Sequence, residues 1–158
     1  MSEEQIRKAD QLQTQSVSLM KEAGELLTAG EQELTASLRS KDASFLKQTA
    51  KLNQTGLMFR ITTLRQMLAR LRDLDDEISV LNGMWQTGTE ALEERKNSLT
   101  LSSIQLKQVM TQVETKLRIL QELCEATEAM KEAAADSEAI QKAQELNAFA
   151  KKLQEFGP

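Results

Sequence analysis

Residues 57–85 read LMFRITTLRQMLARLRDLDDEISVLNGMW, and every seventh position is apolar: Leu57, Leu64, Leu71, Ile78 and Trp85. The same phase continues through Leu92, Leu99, Leu106, Val113 and Leu120 without an exception. A seven-residue apolar repeat is the pattern of helices packed along their lengths. The row crosses Asn82, Gly83 and Gly88, so it establishes long amphipathic helices on both sides of the glycines rather than one unbroken helix. With about two core positions in every seven, two separate stripes share a phase about one time in four.

Composition agrees with that reading. The chain has 158 residues, 40% hydrophobic and 28% charged, with four Phe, one Trp, no Tyr and a single Pro at its last position. Ala, Leu, Glu, Lys, Gln and Arg dominate, and these are the strong helix formers. The expected fold is all-α: an elongated antiparallel bundle of three long helices and a short C-terminal helix with coiled-coil-like packing. One domain is expected over residues 1–158, with helices near 3–39, 42–82, 88–134 and 137–156.

The same composition narrows the chemistry. Without histidine, Ser-His-Asp and Cys-His nucleophilic systems, His-ligated zinc and the Glu-x-x-His di-iron pattern are unavailable. One cysteine, Cys124, allows neither a cysteine metal cluster nor an intramolecular disulfide. The six glycines never take the spacing of a phosphate loop. No enzyme, cofactor or metal is expected. The net charge of −4 argues against a dedicated nucleic-acid binder. No run of about 18 apolar residues is present to span a membrane, and the acidic start lacks the layout of a signal peptide. A cytoplasmic location is the default expectation.

Along the chain, Ser2 and Gln5 form a capping-box pair ahead of helix one, with Glu3 and Glu4 in the first turn. That helix carries Leu12, Leu19 and Leu26, and beside them a row of small residues, Ala9, Ser16, Ala23, Gly30 and Ser37, suited to close packing of a neighbouring backbone. Ser40 or Asp42 can cap helix two, within which Asn53 falls in the seam and could fix register or mark a kink. Asn82-Gly-Met-Trp-Gln-Thr-Gly-Thr89 is the strongest turn signal. Gly83 suits the left-handed position that ends a helix, with Met84 packing back on Ile78, and Thr87 with Glu90 makes a capping box before helix three; Asn82, Gly83, Thr87 and Gly88 are the turn residues. Trp85-Gln86-Thr87-Gly88 resembles the Trp-x-Gly turn of the small secreted helical hairpin proteins. It is one residue longer than that motif, and the chain has more helices than a single hairpin, so membership is not inferred. Asp136-Ser137 is the expected cap of the last helix. Cys124 continues the seam from Leu120 and reads as a small core hydrophobe.

Charge alternates in blocks: −3 over residues 1–40, +6 over 41–72, −5 over 73–96 and −2 over 97–158. Folding helices one and two antiparallel about Ser40 and Lys41 places Lys47 and Lys51 opposite Glu33 and Glu31. It also sets Arg60 near Glu22, Arg70 and Arg72 near Asp10, and Asp73 and Asp75 near Lys8 and Arg7. On that register the basic stretch is satisfied within the protein. The function expected is a non-enzymatic helical protein-interaction module (an adaptor, chaperone or coiled-coil subunit) with protein partners and with self-association open. The alternative is a membrane-surface-binding or secreted membrane-active bundle, in which Lys47, Lys51, Arg60, Arg65, Arg70 and Arg72 contact an anionic surface beside Leu57, Met58, Phe59 and Ile61.

Overall fold

The structure is a computed structural model that describes residues 3–28, 36–84 and 90–156. Among these the chain is all-α: α1 (Glu3–Thr28), α2 (Ala43–Met84), α3 (Glu90–Lys131) and α4 (Asp136–Ala150), followed by a 3₁₀ segment (Lys151–Phe156). The long helices thus number four rather than three, and shorter helical pieces lie at 36–38 and 151–156. The helix expected over 137–156 splits because its second part tightens into 3₁₀ geometry from Lys151.

Local chemistry accounts for the helix ends. The Asp42 carboxylate accepts from the Ser44 N–H at 3.0 Å and the Phe45 N–H at 3.4 Å, while Ser40 Oγ accepts from the Asp42 N–H at 3.1 Å. Asp42 is therefore the N-cap of α2, with Ser40 bracing it from outside. At α4 the cap is Ala135, in an extended conformation and without a side-chain hydrogen bond, in place of the expected Asp136-Ser137 pair. Asp136 and Glu138 sit instead in the first turn, where the helix dipole favours them. Gly83 does not end α2 in the left-handed region: the helix runs on to Met84, no described glycine has a positive φ, and Met84 is 60% exposed rather than packed on Ile78. Ser2, Gly30, Trp85, Thr87 and Gly88 lie outside the described residues.

The chain forms two compact units. The first comprises Met1–Leu26 and Gln66–Val113. Arg70 Nη1 lies 2.9 Å from Glu22 Oε2 and Lys8 Nζ lies 3.9 Å from Glu77 Oε2, so α1 and α2 run antiparallel here. Arg95 Nε donates to Asp10 Oδ1 at 3.1 Å and Ser102 Oγ to Gln13 Oε1 at 2.7 Å, which sets α3 in the same direction as α1. Its core holds Ala9, Leu12, Leu19 and Ala23 of α1, Leu71, Leu74, Ile78 and Leu81 of α2, and Leu92, Leu99 and Leu106 of α3. Ser16 is fully buried among them and returns its hydroxyl to the Leu12 carbonyl at 2.8 Å, so no polar group is left orphaned there.

The second unit comprises Leu27–Arg65 and Glu114–Pro158. Gln54 Nε2 donates to Glu128 Oε2 at 2.6 Å and Lys47 Nζ lies 3.8 Å from Asp136 Oδ1, which fixes α2 antiparallel to α3. Buried residues are Leu46, Ala50, Leu57, Ile61 and Leu64 of α2, Leu117, Leu120, Leu123 and Met130 of α3, and Ala139, Ala143, Leu146 and Ala150 of α4.

Candidate interaction surfaces

The heptad row and the small row have a shared fate where they are described. Leu57, Leu64, Leu71, Ile78, Leu106, Val113 and Leu120 are all buried, as are Ala9, Ser16 and Ala23, whereas Ser37 is half-buried and accepts from Asn53 Nδ2 at 2.9 Å. Asn53 lies within a continuous helix and spends its amide on an adjacent segment. These residues build the core and leave the outer helix faces as the surfaces with something to offer.

The basic stretch divides. Arg70 pairs with Glu22 and Lys47 with Asp136, and Arg60 and Arg72 are also engaged. Lys51 and Arg65 are exposed and make no ion pair among the described residues. The partners correct the expected register. Glu22 meets Arg70 instead of Arg60, ten residues further along α2, a slip of about 15 Å at 1.5 Å per residue. Asp10 takes Arg95 of α3, Lys8 takes Glu77, and Asp75 accepts from Ser103 Oγ at 2.5 Å. The cause is the connection: Ser37 already lies beside Asn53, so residues 38–42 run back along α2 to reach its start instead of reversing tightly at Ser40. Glu31 and Glu33 lie outside the described residues.

One feature carried no signal in the apolar pattern. Lys116 is 1% exposed, and its Nζ donates to the Leu27 carbonyl at 3.1 Å, in the last turn of α1. A lysine at a helix C-terminus meets both an orphan carbonyl and the negative end of the dipole. Its place three residues after Val113 and four before Leu120, on the inner side of α3, is the one clue the sequence held.

Two apolar grooves deserve description. In the first unit Val80, Leu81 and Met84 line a cleft of about 700 Å³ whose rim carries Glu4, Asp76 and Glu77 with Lys8. In the second, Ala126, Ala129, Leu146 and Phe149 line one of about 520 Å³ between α3 and α4. Cys124, half-buried rather than fully in the core, borders a shallower cleft with Met58, Ile61 and Arg65. Burial, with the charges of Glu128 and Glu125, pushes its thiol pKa up, partly offset by a hydrogen bond with Gln54. Among the described residues no group of three His, Cys, Asp or Glu side chains could hold a metal ion, and no helix is long and apolar enough to cross a membrane. No family model, curated protein or solved structure matches the chain.

Proposed function

We propose that the chain is a non-enzymatic helical protein-interaction module, an adaptor, chaperone or coiled-coil subunit of a cytoplasmic assembly. The observation that carries this is the large apolar surface left on the outside of regular helices: Leu52 is 75% exposed, Phe59 72% and Val80 63%, on a helix whose opposite side is already filled by core. Side chains of this size gain from leaving water, and neighbouring ones on one face mark where a partner sits. Self-association belongs within the proposal, because a second copy offers the same faces.

Affinity capture from the native source tests it, with wild type beside a variant carrying Leu52→Glu, Phe59→Glu and Val80→Glu. Proteins held by the wild type and lost by the variant are expected; identical recoveries would end the reading. Light scattering of the purified chain gives the stoichiometry. One observation favours a second reading. Lys51 and Arg65, without ion pairs among the described residues, stand near exposed Met58 and Phe59, a combination that suits an anionic membrane surface. Flotation of the chain with anionic vesicles, lost at high salt, is the result that reading requires.

A further inference from the structure

We propose that the outer face of α2 from Phe45 to Phe59 docks an acidic amphipathic helix of a partner protein. The proposal rests on the interaction-module reading above and names the surface and the partner's chemistry. Phe45, Leu52 and Phe59 recur at seven-residue intervals and are 43%, 75% and 72% exposed, so they form one line on the side away from buried Leu46, Leu57 and Ile61. The line is about 21 Å long, the length of about four helical turns.

What lies between those residues is shaped for a helix. The hydroxyls of Thr49, Thr55, Thr62 and Thr63 all fold back onto α2's own carbonyls at 2.9–3.0 Å, those of Phe45, Lys51, Met58 and Phe59. Their hydrogen-bonding capacity is met within α2, and the apolar strip is not interrupted by hydroxyls seeking partners. Gly56 lies on the same face, between Leu52 and Phe59. A Cβ there would meet nothing within 4 Å, so nothing within the described chain requires glycine, which weakens the helix relative to alanine. A glycine on an outer face lets a second backbone come close, as small residues do at tight helix–helix contacts.

Charge selects the partner. Between Ala43 and Arg72 α2 holds six basic residues and no acid. Lys51 precedes Leu52 and Arg60 follows Phe59, and the helical step of about 100° per residue sets them on opposite flanks of the strip. A docked helix with Asp or Glu on both edges would be complemented along its length, in the manner of flanking charges in paired helices. A second copy of this same segment would set like charges together. Gln48 also stands on this face, exposed; a partner helix can hydrogen-bond its amide and hydrocarbon cannot, which favours protein over lipid.

The test uses the full chain as bait for a displayed library of amphipathic helices with fixed apolar positions and Lys, Gln or Glu at the flanks. The expected outcome is enrichment of Glu flanks, with affinity falling as salt rises. Phe59→Glu with Leu52→Glu should weaken the selected helices by about tenfold or more. Gly56→Leu should weaken them similarly while leaving the melting temperature unchanged or higher, because the new side chain fills only the docking face. Neutral or basic flanks, or binding untouched by Gly56→Leu, would overturn the proposal. So would flotation of the wild type with phosphatidylcholine–phosphatidylserine vesicles that Phe59→Glu abolishes, which would give the face to lipid. Should the library yield no helix for this face while native-source capture still depends on Val80 or Met84, this surface fails and the interaction reading stands. Capture indifferent to every one of these substitutions defeats both.

Discussion

Lys116 is where single-residue chemistry departs furthest from the apolar pattern. Its stem packs as a hydrophobe while its ammonium serves a carbonyl in the last turn of α1, which is how an amphipathic side chain is accommodated in a core. Lys116→Met keeps the volume and removes the donor, so a loss of about 1–3 kcal/mol is expected from the orphaned carbonyl. Lys116→Ala adds a cavity and should cost about 2–5 kcal/mol. Urea unfolding measures both, and an alanine variant no worse than methionine would show that packing is not part of the role. A second residue-scale prediction concerns pH. The Glu128 carboxyl is held below its ordinary pKa, first by the Gln54 amide, then by hydrogen bonds with Glu132 and Lys131. A depressed carboxylate stabilises the fold above its ordinary pKa, and that contribution is lost as pH falls through the lowered folded-state value. Gln54→Leu should move the Glu128 titration upward by NMR. Its stability deficit against wild type should be full at neutral pH and close in acid. The same substitution removes the interaction that lowers the Cys124 thiol pKa, so alkylation of Cys124 should slow further; faster alkylation would contradict the arrangement.

At the scale of elements, Gly83 separates the two ways of reading a turn. A glycine one residue past a periodic stripe signals a left-handed helix stop, but here α2 continues to Met84 and a Cβ on Gly83 meets nothing within 4 Å. Gly83→Ala should therefore stabilise the protein by about 0.5–1 kcal/mol, where a left-handed glycine would give a loss. A short flexible insertion after Met84, at the exposed end of α2, should cost little because loop-closure entropy grows slowly with length. The same insertion after Leu106, fully buried inside α3, should unfold the chain; circular dichroism melts of both compare them directly. The helices were legible because burial repeats with the heptad, as Leu57, Leu64, Leu71 and Ile78 show, and because Asp42 carries its capping oxygen in its own side chain. The break before α4 was placed near the right residues for the wrong reason, since its cap, Ala135, has no side-chain signature. The outer strip of α2 was missed because Phe45 satisfies a helical apolar pattern whether it points inward or outward. Only exposure separates it from Leu46.

Over the chain as a whole, alternating charge blocks stated correctly that acids and bases would meet, but not which. Block charge constrains register only to within the length of a block, and an antiparallel pair can slide several turns with opposite signs still facing. The choice among those registers lies in the connection, and nothing in residues 38–42 announces that it runs back along α2. Charge exchange can therefore read the register directly. Glu22→Lys places like charges at the Arg70 pair, now 2.9 Å apart, and should lower the melting temperature, more strongly at low salt. Adding Arg70→Glu to that protein restores an opposite pair with net charge unchanged from −4 and should recover most of the loss. Adding Arg60→Glu instead restores the same net charge at the position a tight reversal at Ser40 would require, and should recover none. The pair is exposed and worth only about 0.2–1 kcal/mol, so the comparison is made as a double-mutant cycle rather than from one substitution. Recovery by Arg60→Glu and not by Arg70→Glu would restore the tight hairpin and displace α1 along α2 by the ten residues that separate the two arginines.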